Sequence, residues 1–565
     1  MPFPRRAAGK LAIAAFLLRG AFYCVEQPLW EGFDEWAHFA YVEHLVTYGR
    51  LPGRSEAVSE RVCRSVELAP LAASAAENAI GSLTHDAFWR LPAEERLRRE
   101  RELNSLETPA RKACTGPGAL IAYEAQQPPL YYLILALPYL AVRNSSLPAQ
   151  VLTLRLASVL LAAAGIFLSY RLALRVPACR RAAIPILLLL ASWPGLLIGV
   201  SRIGNDGPAL ALGSAVMVCL FRTVCSFRTI WPGAARGGWV LAGVTLGAAL
   251  LTKSYMLALV PLLPLAALVQ MLRQKTGRLR TGSGCLLALA LAGLIAGWWY
   301  VRNWMATRTL SGEQIDAAAA RFGLAGKLAA MAQVNWLRVV DAAAATHIWT
   351  GGWSFLGVRS WMYRVFELMV LASGAGLSVL LWRLVRRASR GRISGGDARF
   401  SLALCAYLFF CLGLGYYAIS VYLARGISTA LGWYLYGIAG AETVLLASGF
   451  TGLAGGRRAA GCMAALAALA CALDLYTVHF ISMPYYTGII AHTPSGRLAA
   501  FHVSDLRGIG ISGLFERLAV NQPRGIGAPV IAAMWSGYVC ATAALAGCSA
   551  WMLESTFFSR RKASA

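Results

Sequence analysis

Asp34 and Glu35 stand side by side in Gln27–Pro52, QPLWEGFDEWAHFAYVEHLVTYGRLP, with His38 one helical turn later and Trp30, Phe33, Trp36, Phe39 and Tyr41 around them. A carboxylate so placed can take the proton of an attacking hydroxyl or amine, the general-base role. If the stretch is helical, the 3.6-residue period puts Asp34, His38 and Tyr41 along one face, where acid, imidazole and phenol share a surface. A competing account makes Asp34 the cap of a helix whose dipole tolerates acids in its first turn. Spacing alone leaves both open.

Other polar islands interrupt apolar sequence. In SRIGNDGP (201–208), Arg202 and Asp206 are four apart and can pair across one turn; alternatively Asp206 is a second acid of the same cavity and Arg202 meets an anionic group. Lys253, in LLTKSYM, breaks a nearly continuous apolar run from 238 to 272. An ionisable group there must sit at a turn, face a polar cavity or snorkel to the surface. Arg302 and Asn303 end a span in WWYVRNW, and a planar guanidinium suits a phosphate, while the indoles also fit an interfacial anchor. Glu442, inside a later span, reads as an internal hydrogen-bonding acid paired with a Ser or Tyr. No Walker loop, dinucleotide glycine pattern, HExxH or nucleophile elbow is present.

The elements that must position these residues are membrane helices. The 565 residues are 58% hydrophobic and 14% charged, with mean hydropathy +0.55, the composition of a polytopic membrane protein. Runs long enough to span fall at Leu11 to Tyr23 and near 150–174, 182–200, 207–226, 238–253, 256–272, 284–301, 363–385, 400–420, 431–450, 460–478 and 528–553. About twelve transmembrane helices are therefore expected. The net charge of +26 sits in clusters at every second connection: Arg175/Arg180/Arg181, Arg222/Arg228/Arg236, Arg273/Lys275/Arg278/Arg280, Arg386/Arg387/Arg390/Arg392, Arg457/Arg458 and Arg560/Arg561/Lys562. With Arg5, Arg6 and Lys10 they place both termini in the cytoplasm, and no nucleic-acid partner is expected. All seven His fall on the opposite, extracytoplasmic connections. There, 49–124 is a long polar segment, and Gln126–Val142, short and broken by Pro128, Pro129 and Pro138, reads as an interfacial or re-entrant helix. Cys63 and Cys114, both in the first outer loop, are the candidate disulfide; the other cysteines fall mostly inside apolar runs.

The order EGFDEWAHFAYVEHLVTYGRLP, YEAQQPPLYYLILALPY, SRIGNDGPAL, LLTKSYM and GWWYVRNW resembles the integral-membrane GT-C superfamily of glycosyltransferases, in particular the bacterial relatives of protein O-mannosyltransferases and the lipid A aminoarabinose transferase. The resemblance covers roughly the first 300 residues. It implies an all-α, GT-C-like bundle with long extracytoplasmic loops carrying interfacial helices, divided as 1–478 (catalytic region, first outer loop 24–149), 479–527 (outer loop) and 528–565 (last helix and basic tail). It further implies a polyprenyl-phosphate sugar donor, a lipid, glycan or protein acceptor, and inverting transfer outside the plasma (inner) membrane, with a possible divalent metal. Asp34 matches the base and Glu35 its partner; Asp206 matches the second-loop acid, and Lys253 and Arg302 match positions that meet the lipid phosphate. His38, Gln127, Arg202 and Asn303 complete the expected substrate-binding set. Two departures stand out: Gln127 replaces a His before Pro-Pro, and Gly432-Trp433-Tyr434 replaces Gly-Arg-Tyr. Alternatives are a polytopic transporter or lipid flippase, which predicts repeated halves and midplane charges, and an inactive GT-C-like subunit.

Overall fold

The computed structural model describes residues 5–77, 79, 81–106, 112–116, 118–224, 232–273 and 277–557. Of the basic residues assigned to connections, Arg228, Lys275, Arg560, Arg561 and Lys562 lie outside these; Arg5, Arg6 and Arg236 are described by backbone alone.

Helices dominate, and the strands of the named sheet are only Pro70–Leu71 and Leu83–Thr84, paired in parallel. Among the described residues, eight helices are long and apolar enough to cross a membrane, or nine if Ala183–Ser192 and Pro194–Val200, bent by 58°, form one span. Others of the twelve expected runs form helices that are shorter or that share one continuous stretch. The runs expected at 431–450 and 460–478 are two helices within the stretch Gly432–Tyr486, parted by a backbone break at Gly455 (φ 80°, ψ 160°), a conformation open to glycine. Gly237–Leu250 is apolar but short, and the run expected at 207–226 is the helix Asp206–Thr223.

Leu130–Val142 is a short helix with Pro138 inside it. Tyr131, Tyr132, Leu135 and Tyr139 face the protein, whereas Leu133, Leu137 and Leu140, at i, i+4 and i+7, are exposed. An outward stripe that remains apolar suits contact with lipid. Thirteen residues at 1.5 Å each give about 20 Å, short of a hydrocarbon core of about 30 Å.

Polar cross-links fix the helix Glu35–Tyr48 to this frame. Arg61 forms a buried ion pair with Glu43 and donates to Tyr139 Oη (3.0 Å) and Gln150 Oε1 (2.7 Å), joining the first loop to Leu130–Val142 and to Leu147–Ala173. A Cys63–Cys114 disulfide closes the same loop. Beside it, backbone bonds from Val58 N to Leu120 O (3.0 Å), Cys114 N to Val58 O (2.8 Å) and Ala122 N to Glu56 O (2.8 Å) carry the chain to Tyr123.

Deeper in the bundle, Asp474 accepts from Tyr23 Oη (2.6 Å) and Tyr538 Oη (2.7 Å) and pairs with Arg19 (2.8 Å), all fully buried. This knot ties the first helix, Arg5–Glu26, to the Ala439–Thr477 helix and to the last helix, Ala528–Phe557.

Candidate functional site

The helix at the opening stretch begins at Glu35, so Asp34 is not on its face. Asp34 occupies the N-cap position in the left-handed region (φ 57°) and its side chain makes no capping hydrogen bond. The expected shared surface is thus divided. His38 Nδ1 meets Tyr132 Oη at 2.7 Å and Tyr41 stacks on the Tyr132 ring at 3.6 Å, whereas Asp34 Oδ1 accepts from Tyr123 Oη at 2.7 Å. The 3.6 period fails for Asp34 because it is the residue at which the chain turns into the helix.

That turn is held from both sides. Trp30 also has positive φ (67°), and a non-glycine residue in the left-handed region carries strain that its surroundings must impose. Glu31, fully buried, meets His85 Nε2 (2.9 Å) and accepts from Ser354 N (2.8 Å) and Tyr486 Oη (3.2 Å). Glu35, also fully buried, accepts from Arg155 Nε (2.7 Å) and Nη2 (2.6 Å) and from Ile203 N (3.0 Å). Arg155 in turn donates to Cys24 O, Gln27 O and Pro28 O. Gly32 lets the turn settle against the second polar island: a Cβ there would lie 2.7 Å from Arg202 Cβ. Two buried glutamates therefore clamp a strained turn that presents a half-buried Asp34.

Around Asp34 the structure gathers Arg202, Asp206 and Lys253. Arg202 Nη2 donates to Asp206 Oδ2 at 2.8 Å, Lys253 Nζ pairs with Asp206 Oδ1, and Tyr255 Oη donates to Asp206 Oδ1 at 3.4 Å. Lys253 is the extended residue (φ −155°, ψ 137°) between the helix ending at Leu250 and the 3-10 turn Ser254–Leu259, where an ammonium can leave an apolar run. Its Nζ lies 5.0 and 5.8 Å from the ring centres of Tyr255 and Tyr434. The Arg202 guanidinium covers Phe33 at 4.9 Å, and Phe33 stacks on Trp433 at 4.4 Å. An aromatic wall stands where the Gly-Arg-Tyr pattern would place a cation.

Gln127 links two further segments: its Oε1 accepts from Asn205 Nδ2 (3.1 Å) and its Nε2 donates to Glu313 Oε1 (3.0 Å). Leu130 N donates to Leu251 O (2.9 Å), so the Pro-Pro helix and the Lys253 break are joined directly. Asn303 is 2% exposed and donates to Gln126 O, Leu310 O and Ser311 O, which makes it a staple of the loop before Glu313. Arg302 stands apart from the Asp206 cluster. Its guanidinium lies 4.4 Å from the Trp299 ring centre, its Nη1 has no hydrogen-bond partner, and its charge is felt by Tyr41 and Arg54. Glu442 bonds to His347 Nε2 (2.8 Å), not to a Ser or Tyr.

Burial pushes the Asp34 carboxyl above its ordinary range; the Tyr123 hydroxyl and the charges of Arg202 and Lys253 pull it back. Glu124 is raised well above the usual range by burial and then by the charges of Asp34 and Glu313. Burial, then Asp316 and Asp34, push Glu313 up to about 7. His38 is pushed down to about 3, first by burial and then by Lys253 and Arg202, so its ring stays neutral. The site thus combines an ionisable Asp34, two neighbouring acids that hold protons readily, and a cationic group around Asp206. Among the described residues no group of three or more His, Cys, Asp or Glu is arranged to hold a metal ion.

Residues 17–440 match the model of a family described as "Predicted membrane protein (DUF2142)". The chain belongs to this family. Among solved structures it is similar to ArnT from Cupriavidus metallidurans bound to undecaprenyl phosphate, with 14% identity and a TM-score of 0.44 over 95% of this chain and 76% of that one. It is also similar to the oligosaccharyltransferase AglB from Archaeoglobus fulgidus in complex with an inhibitory peptide and a dolichol-phosphate, with 12% identity and a TM-score of 0.39 over 90% and 59%. No curated protein matches the sequence.

Within this DUF2142 member, sequence reasoning missed Glu31, Tyr123, Glu124, Arg155 and Glu313. Arg155 carried the one available signal, a lone cation inside an apolar run. The others lie in polar segments where acids and phenols are unremarkable until the fold brings them together.

Proposed function

We propose that this protein is a glycosyltransferase that moves a sugar from a polyprenyl-phosphate donor to an acceptor on the extracytoplasmic side of the plasma membrane, both termini being cytoplasmic. The observation that carries the reading is the presentation of Asp34: a partly exposed carboxylate on a strained turn, clamped by two buried glutamates that have no other evident task. One oxygen is fixed by Tyr123, and the other has no hydrogen-bond partner among the described residues. A capping role is not supported, because the capping bond is missing.

In this reading Asp34 Oδ2 accepts the proton of the acceptor hydroxyl or amine as that group attacks the anomeric carbon. The bond from the anomeric carbon to the phosphate oxygen breaks on the opposite face, which inverts the configuration, and the polyprenyl phosphate leaves with the bonding electrons. Lys253 and Arg202 outnumber Asp206 by one positive charge and oppose the charge growing on the phosphate; the unpaired Nη1 of Arg302 offers a second donor. Glu35 is a positioning residue, since its oxygens are engaged and sealed from solvent. The Cys63–Cys114 disulfide fits an oxidising compartment for this loop.

Membranes carrying the protein, incubated with a radiolabelled polyprenyl-phosphate sugar, should pass label to an endogenous acceptor, and Asp34→Asn should abolish the transfer while insertion is unchanged. Label that crosses the membrane still attached to its lipid would replace this reading with transport. Full activity in Asp34→Asn would remove Asp34 as the base.

A further inference from the structure

A second cavity lies where the end of the Arg5–Glu26 helix meets the 517–522 segment, and the reaction proposed above makes no use of it. Glu26, Trp89, Tyr486, Arg517, Asn521 and Gln522 are among its walls, and it has room for a water-sized group but not for a sugar. Four hydrogen-bond donors in those walls are turned to other tasks. Trp89 Nε1 donates to Tyr486 O (2.9 Å), Tyr486 Oη to Glu31, Gln522 Nε2 to Val25 O (3.0 Å) and Arg517 Nη1 to Thr487 O (2.9 Å).

Three buried acceptor atoms in those walls are left without a partner of their own. Glu26 is 1% exposed and neither carboxylate oxygen has a hydrogen-bond partner of its own; Asn521 is 5% exposed and its Oδ1 has none either. Asn521 sits in the left-handed region (φ 65°). Ser482, whose hydroxyl is shared between Glu26 and Thr477 O (3.2 Å), closes the π-helical turn Val478–Ser482. A buried carboxylate without a counter-charge is strongly unfavourable. The Arg517 guanidinium rests over Trp89 at 5.1 Å and forms no ion pair with Glu26 among the described residues.

We propose that this cavity binds a small monovalent cation, either a bare alkali-metal ion or a primary ammonium group, through the Glu26 carboxylate and Asn521 Oδ1. One carboxylate balances one positive charge, and Arg517 in the same wall opposes a second. Divalent cations draw on more carboxylates than the one present here. The size limit excludes quaternary amines, and the buried Glu26 carboxylate opposes anions.

Thermal unfolding of the purified full chain in nanodiscs tests this, with sodium, potassium, methylammonium and choline chlorides compared at constant ionic strength. The midpoint should rise saturably, by about 2 °C at a hundred times the Kd, with an alkali metal or methylammonium and not with choline. A response to a metal alone identifies an ion site, and one to methylammonium alone an amine site; Glu26→Gln should lose either. If Glu26→Gln does not fold, Asn521→Asp takes its place: a second carboxylate should create a saturable response to calcium. Equal shifts in all four salts, an unchanged response in Glu26→Gln, or no calcium response in Asn521→Asp would overturn the proposal.

Discussion

Exchanging each of the two adjacent acids for its amide should produce opposite phenotypes. Asp34→Asn removes a partly exposed acceptor whose only hydrogen bond among the described residues is from Tyr123, so folding should be nearly unchanged. Its effect falls on the chemical step, where loss of a general base lowers the rate by about 10²- to 10⁴-fold. Glu35→Gln removes the negative charge from a fully buried fork with Arg155 and turns an NH2 group toward a donor. Breaking such a pair from one side costs about 3–5 kcal/mol, because Arg155 stays buried without its counter-charge. For a chain of this length that is about 3 to 4 °C in unfolding midpoint. The two measurements are transfer of labelled sugar in membranes and thermal unfolding of the purified variants at matched lipid composition. An unshifted midpoint in Glu35→Gln, or a destabilised Asp34→Asn, would refute the division of labour between the two acids.

Further outcomes follow from the same geometry. Because burial raises Asp34, activity should fall as pH drops through a value above the ordinary aspartate range, and pH–rate profiles should show the limb moving. Tyr123→Phe removes a bond to the anion and should shift that limb up by about one pH unit. Replacing Cys63 and Cys114 by Ser opens a loop with a sequence separation of 51 and should cost about 4 kcal/mol; a reductant should lower the wild-type midpoint and leave the double variant unmoved. Asp474→Ala strands Arg19 and should destabilise by about 3–5 kcal/mol, whereas Asp474→Leu combined with Arg19→Met should recover much of the loss in the same unfolding assay.

Much of this protein was legible in its sequence because the strongest signals are local. Apolar runs and their breaks located the helices, and a lone Lys253 in such a run had to sit at a break, as it does. Cys63 and Cys114 could be paired because they alone stand in the first polar segment. Local pattern also misled: the helical period grouped Asp34 with His38 and Tyr41, yet the chain turns into its helix at Asp34. Only the tertiary structure decided which charges meet. Glu35 finds Arg155, Glu31 finds His85, Gln127 finds Glu313, and Asp34 finds Tyr123, partners separated by 54 to 186 residues along the chain. Sequence records what each segment must bury; the packing of helices decides which buried charges are near enough to neutralise one another, and that is why Asp34 keeps an oxygen to spare beside the Asp206 cluster.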